Sequence, residues 1–444
     1  MPYERGWRVF LMGPLALLLI APVAVVALLL LAALVQRHPA YGAFGSYIMV
    51  LLQWDFPVQL PVVTLGGNNI FFPDLVAIIL TLVMLNNWRT LLRNLGWVTL
   101  PWALFALCIS LGVVRGINEF GLGLAINEGR SLLLPLIATG WAMSIDWTDE
   151  KTRSVLIGPL QVVGWLLVVL AGYHALRYGL GTASSNFIDI DGVAQSGRVL
   201  MQNQALVLGI AALLALRQWD TTGDRRYLLT FVVFIGVVAV SQQRTVWSAV
   251  AAALGVLMLF GWPRLRRVLL LGAVVVVVTV LFAPSLPLVA DIMKSFSDQT
   301  TYDARLASWA QLISQSVASG PVAVWFGQPF GSGYVRLEPN GLIATFSPHN
   351  WYLLLFLRTG LVGLIAYSTA GAYAILKLLS TQKSAAALSV LAAVMVFCWS
   401  YGFSWTFCIP AGWALATAYR AKRSTGNLES PLPVPLTSTL VVRK

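Results

Sequence analysis

The chain is a succession of long apolar runs separated by short polar turns, the pattern of a protein built to lie in lipid. Apolar runs of spanning length fall near 9–35, 73–87, 96–114, 124–145, 154–176, 199–216, 227–241, 245–261, 268–284, 350–376, 384–400 and 403–419. A helix of roughly 20 residues crosses a hydrocarbon core of about 30 Å, so the runs predict about twelve transmembrane helices. The first run follows Arg5 and Arg8 and lacks a small-x-small cleavage site, which predicts an uncleaved first span. Residues 36–72 break the rhythm. The stretch around Tyr47 is apolar, but Pro57, Pro61, Gly66 and Gly67 interrupt its continuation, predicting a re-entrant or interface-lying segment near 42–63.

Charge then orients the helices. Arg89 and Arg93, Lys151 and Arg153, Arg217, Arg225 and Arg226, Arg264, Arg266 and Arg267, Lys377 and Lys383, and Arg420, Lys422 and Arg423 all fall on one side of this topology. By the positive-inside rule that side is cytoplasmic, with both termini. A further span within 36–72 would flip every later loop and place Arg264, Arg266 and Arg267 outside. The net charge of +12 is carried by the inner side, so the basic balance follows from membrane insertion and requires no nucleic acid. With 58% hydrophobic and 10% charged residues, most of the chain cannot be the surface of a soluble domain.

The expected organisation is therefore all-α and polytopic: 1–284 with nine spans, an external loop over 285–349, three further spans over 350–420, and a disordered cytoplasmic tail over 421–444 rich in Pro431, Pro433 and Pro435. The external loop is too short for an independent domain but long enough to cap a membrane cavity. Cys108, Cys398 and Cys408 sit inside apolar runs with no metal-ligand or disulfide spacing, and read as packing residues. There is no internal repeat and no GxxxxGK[ST] element, which argues against ATP-driven transport.

Few residues are left for chemistry. Arg244 lies in the external turn between the runs 227–240 and 246–260, which as helices reach only about 21–23 Å and hold the turn below the outer surface. An arginine at that depth is costly unless it faces the protein interior and meets an anion; the alternative is snorkelling to headgroups. Arg198 opens another span at its outer end, ahead of Gln202-Asn203-Gln204, and reads equally as an interfacial anchor. Arg305 and Arg336 are loop arginines that ordinarily solvate or pair with carboxylates. Arg358 lies nine residues into the span after His349, on the opposite helical face, and predicts a buried partner. His349, in Ser347-Pro348-His349-Asn350 at the mouth of that span, is a candidate base, or else a cap donating to a loop carbonyl. Asp189-Ile190-Asp191 spells DxD, but in an external loop, where nucleotide sugars are not available. No other metal-ligand pattern is present.

In this context the chain resembles the O-antigen ligase and polymerase superfamily of bacterial envelope glycosyltransferases. The resemblance rests on Arg305 with Trp309, on Gly327-x3-Gly331-Ser332-Gly333, on Ser347-Pro348-His349-Asn350 with Leu353, and on Gly360-Leu361-Val362-Gly363, which such proteins carry in this order. Arg244 and Arg198 fall where the family has arginines at outer helix starts. Two positions depart from the pattern: Gln243 replaces a small serine, and Gln202-Asn203-Gln204 replaces Asn-Pro-Asn.

The resemblance implies a type C glycosyltransferase-like fold with one large periplasmic loop in the bacterial inner membrane. It also implies transfer of a glycan from undecaprenyl diphosphate to an acceptor hydroxyl at the periplasmic face. Arg198 and Arg244 would hold the donor diphosphate and His349 would take the acceptor proton, with Arg305, Asn350 and Tyr352 as further substrate contacts. Arginines stand in for a metal, so neither metal nor cofactor is expected. The expected partners are the lipid-linked donor, a lipid A–core acceptor and membrane lipids. Trp351 and Tyr352 suit a wall for a glycolipid, which favours a ligase, and equally suit a plain aromatic belt. Two alternatives remain: an O-antigen or exopolysaccharide polymerase, and a transporter or flippase with arginines lining an anion path.

Overall fold

The computed structural model describes residues 14–52, 62–65, 68–147, 150–179, 187–190, 193–196, 198–261, 263–282, 300–337, 343–380 and 385–420. The expected tail over 421–444 and the start of the external loop lie outside the described residues. Each apolar run carries a helix. The first half holds α1 (Pro14–Arg37), α2 (Pro39–Leu52), α3 (Phe72–Asn86), α4 (Trp88–Leu95), α5 (Thr99–Phe120), α6 (Leu122–Met143) and α7 (Glu150–Tyr178). Then come α8 (Gln202–Thr222), α9 (Arg225–Val240), α10 (Arg244–Phe260), α11 (Pro263–Phe282), α12 (Thr300–Ala318), α13 (Pro321–Phe326), α14 (Trp351–Leu379), α15 (Ala385–Cys398) and α16 (Cys408–Arg420). Strand is confined, among the described residues, to three antiparallel hairpins, registered Val63 to Ile70, Phe187 to Ser196 and Arg336 to Ala344. Asp189 lies on the second of them, while Asp191 is outside the described residues.

Three helical stretches are long and apolar enough to cross a membrane: Trp88–Phe120, Ile157–Arg177 and Trp351–Leu379. A fourth arises if the bent pair α1 and α2 counts as one span. This is a membrane protein, and the twelve spans expected from the runs remain an expectation. The other helices fall short for a physical reason. Along α8, residues 204–216 are buried on every side, packed by α7, α9, α10 and α15, so this helix meets protein rather than lipid. α10 packs along α15, and the buried alanines Ala249 and Ala253 on one helix and Ala387 and Ala393 on the other suit the close approach that stands in for hydrophobic drive inside a bilayer.

Near the segment expected to re-enter, α2 folds back on α1 at 110° and buries Ser46, Tyr47 and Val50. The Val50 carbonyl accepts from Gln204 Nε2 at 2.8 Å, tying this fold-back to the start of α8. At the opposite end of the bundle Asp146 receives Arg420 at 2.5 Å and Arg93 at 3.5 Å, joining α4, α16 and the α6–α7 turn. Cys108, Cys398 and Cys408 are buried and free, as packing residues should be.

The feature that shapes the outer end is a break in α14. Gly360 has φ 64°, and a Cβ there would lie 2.3 Å from the Trp325 backbone of α13. Only glycine permits both the conformation and the approach. Beside the break the Leu357 carbonyl accepts from the Gln328 backbone N–H at 2.7 Å, so the loop after α13 is stitched to the helix. Gly116 of α5 does the same for Phe330, whose carbonyl would sit 2.1 Å from an added Cβ. Gly360→Ala is expected to lose at least about 1–3 kcal/mol from backbone conformation alone, with the clash in addition. Gly371→Ala, in the same helix with nothing within 4 Å, is the control and should be neutral. Thermal unfolding of the detergent-purified variants checks this.

Candidate active site

His349 stands on a fixed helix start. Asn350 is the N-cap of α14, and its side chain accepts from the Leu353 N–H at 2.9 Å while itself buried to 4% exposure. The preceding imidazole is held between Phe346, with ring centroids 5.4 Å apart, and the edge of Tyr401 at 5.8 Å. One side of His349 remains exposed. Loss of water around the rest of the ring, reinforced by the cations Arg305 and Arg336, pushes its pKa down to about 4. The imidazole is therefore neutral at pH 7 and can accept a proton.

Arginines gather on the other side of Tyr401. Arg305 of α12 lies over the Tyr401 ring at 5.2 Å and donates to the Ser400 carbonyl at 3.3 Å. One helical turn on, Trp309 packs edge-on against Trp399 at 6.1 Å, so the Arg305 and Trp309 face of α12 docks on the turn between α15 and α16. Arg198 donates to the Gln243 Oε1 at 2.7 Å, and Gln243 Nε2 in turn donates to the Leu200 carbonyl at 3.0 Å. Burial holds Arg198 below its ordinary pKa; Arg244 and Arg305 push the same way and Tyr401 opposes them. These four side chains are electrostatic neighbours.

Arg244 is the first residue of α10, and Arg198 just precedes α8. Cations at helix N-termini add to the positive end of each dipole instead of cancelling it. Such an arrangement is unfavourable alone and favourable around an anion, which exposed N-terminal amides also attract. Before Arg244 the turn is tight: Gln242 takes φ 53°, and both Gln242 and Gln243 are buried, in keeping with a turn below the outer surface.

A second network fixes the loop. Arg358 is fully buried and pairs with Glu128 of α6; it also donates to Ser332 Oγ at 2.9 Å and the Gly333 carbonyl at 2.7 Å. Its guanidinium lies 4.3 Å from the Tyr334 ring centre. The other Glu128 oxygen accepts from the Gly331 N–H at 2.6 Å. Arg336, 4% exposed, donates to Ser308 Oγ of α12 and to the Phe346 carbonyl at 2.7 Å, three residues from His349.

Residues 229–368 match the family model described as O-antigen ligase. Over that stretch, about a third of the chain, the protein is similar to the O-antigen ligase family. None of the curated proteins matches the chain. The superfamily match takes in Arg244, Arg305, His349 and Arg358, while Arg198 lies before it.

Four residues predicted to meet substrate come together around Tyr401: His349, Arg305, Arg198 and Arg244. Two others are placed elsewhere. Asn350 spends its side-chain oxygen on capping α14, and Tyr352 donates its hydroxyl to the Met395 carbonyl of α15 at 3.1 Å, beside Trp399. Trp351 is not a lipid-facing wall either, being fully buried against Phe403 at 5.4 Å. Arg358 has the buried partner its position predicts, Glu128, with loop 327–334 over it.

The sequence reading passes over Tyr401 and Glu128, and meets Gln243 only as a departure from the family pattern. Glu128 carried a signal, as a lone carboxylate in an apolar run; Tyr401 carried none, and spacing could not reveal that Gln243 holds Arg198. Removing one charge of the buried pair, as in Arg358→Leu, should destabilise by roughly 3–5 kcal/mol by stranding Glu128. Tyr352→Phe loses a single hydrogen bond and should cost only about 1 kcal/mol. Folded yield and thermal midpoint test both.

Proposed function

We propose that the protein transfers a glycan from undecaprenyl diphosphate to a hydroxyl of lipid A–core at the periplasmic face of the bacterial inner membrane, the reaction of an O-antigen ligase. The observation that carries this reading is the convergence of Arg198, Arg244 and Arg305 beside a neutral, partly accessible His349. Diphosphate is already a good leaving group, so the protein must hold its developing charge and deprotonate the acceptor. The arginines do the first, their planar forks matching phosphate oxygens. His349 does the second.

In one displacement the acceptor oxygen forms its bond to the anomeric carbon as the carbon–oxygen bond to diphosphate breaks. The hydroxyl proton passes to the imidazole and the configuration inverts. An imidazole with a pKa near 4 is a weak base; burial depresses it first, but Arg305 also lowers it, and a diphosphate bound at Arg305 offsets that part. Donor binding thus strengthens the base. A polymerase would use the same chemistry with a second lipid-linked glycan as acceptor.

His349→Ala should lower transfer by about 10²–10⁴-fold in purified enzyme with protein level and donor binding retained. Near-normal activity in that variant would remove His349 as the base. Arg244→Lys keeps the charge but loses the fork and should lose about tenfold or more; full activity would point to a headgroup anchor. The base works deprotonated, so activity falls as pH falls. The limb in kcat/KM, which reports free enzyme, should lie near pH 4, and that in kcat should lie higher because bound donor raises the pKa. Coincident limbs would break the link between donor and base. A deletion strain separates the acceptors: full-length polymer left on undecaprenyl diphosphate with bare lipid A–core indicates a ligase, and single-repeat lipopolysaccharide indicates a polymerase.

A further inference from the structure

A cavity of about 390 Å³ opens at the same end of the bundle as His349 but outside the arginine cluster. Its walls come from the starts of α3 and α6, from Met49 of α2, and from residues 403–406. One side is an ordered polar group. Arg130 pairs with Asp74 at 3.0 Å, lies over the Phe71 ring at 4.9 Å and donates to Asn127 Oδ1 at 3.2 Å. Asp74 is itself fixed by the Phe71 N–H at 2.8 Å. The facing side is aromatic, with Phe403 and Trp405 only 5% and 7% exposed. The indole N–H of Trp405 is buried and has no acceptor among the described residues. A buried donor of this kind calls for a partner that the cavity would have to supply.

We propose that this cavity is a saccharide-binding subsite that seats the acceptor glycan, an inference that rests on the glycan-transfer reading. Three features select the ligand class. Arg130 and Asp74 cancel in charge, so the cavity suits a neutral ligand, unlike the cationic cluster beside His349. A guanidinium, a carboxylate and an amide fixed against one another give the wall polar donors and acceptors in a set arrangement, which a polyhydroxyl ligand can meet. Aromatic rings opposite them offer a flat apolar surface to the C–H face of a sugar ring, and Trp405 adds a polar edge. The volume falls in the range of ordinary small-molecule sites, in which a few placed polar groups orient the ligand.

The cavity is also coupled to the chemistry. The segment from Ser400 to Phe407 lines it with Phe403 and Trp405, packs Phe403 on Trp351, and sets Tyr401 against His349 at 5.8 Å. A sugar held there lies one short segment from the base.

The test uses full-length protein in detergent and saturation-transfer NMR, with lipid-free core oligosaccharide and lipid-free repeat-unit oligosaccharide as separate probes. Core oligosaccharide should bind, and both Trp405→Phe, which keeps the ring and loses the N–H, and the exposed Asn127→Ala should weaken it about fivefold, the ordinary worth of one hydrogen bond. Gly371→Ala, remote from the cavity with nothing within 4 Å, should leave that affinity unchanged. Repeat-unit binding with the same sensitivity would overturn the acceptor assignment in favour of the donor glycan. If neither probe binds, or binding ignores both substitutions, there is no saccharide subsite. That outcome with transfer still dependent on His349 overturns the subsite alone; saccharide binding without any transfer by wild-type enzyme overturns the glycan-transfer reading instead.

Discussion

The outer end of this protein depends on one buried ion pair. Arg358 and Glu128 come from helices far apart in sequence, and between them they hold the backbone of the Gly331-Ser332-Gly333 turn. Taking two charges out of water is costly, and the cost is met only when nearly every remaining donor and lone pair finds a partner. Here the serine hydroxyl, glycine carbonyl and glycine N–H supply those partners, and the Tyr334 ring covers the guanidinium. The pair thus has no satisfactory arrangement except with the loop in place. Arg336 extends the same scheme to α12 and to Phe346, so the residues beside His349 are fixed by polar contacts rather than by a hydrophobic core of their own.

Electrostatics at the site runs opposite to this closed network. Around Arg358 the charges are answered by Glu128 and the loop, whereas beside Tyr401 the cations Arg244 and Arg305 both act on Arg198 and lower its proton affinity further below what burial leaves. Their neighbourhood is positive by construction, through side chains and helix ends together. Gln243 holds Arg198 through a neutral amide, fixing its position without quenching its charge. A carboxylate in that place would have formed a stronger bond and cancelled the field.

The sequence was most legible where physics is one-dimensional. Apolar runs predicted the helices because lipid imposes length and composition, and Arg198, Arg244 and His349 stood out because charge and imidazole are rare in such runs. Arg358 was legible for the same reason. What failed was inference by adjacency: Asn350, Trp351 and Tyr352 come directly after His349, but a helix turns each successive residue to a new direction, so they point to a cap, a core and a neighbouring helix. Tyr401 was invisible, and Gln243 legible only as a departure from a pattern, because their importance lies in contacts made across more than 40 residues of chain. Crossing number is poorly legible because α8, long enough to span at 21 residues but enclosed by protein, escapes the hydropathy that lipid demands.

The break at Gly360 divides the labour of a single helix. From 361 to 379 the chain rises about 28 Å, close to the thickness of a hydrocarbon core, so that portion alone suffices to cross. The nine residues from Trp351 to Thr359 are surplus to crossing and add an arm of about 13 Å, fastened to the loop through Leu357 and Arg358. A thicker or thinner bilayer then acts on the lower portion, while the arm keeps its place with the loop. The histidine at its tip is referenced to the protein, and its height is independent of the membrane.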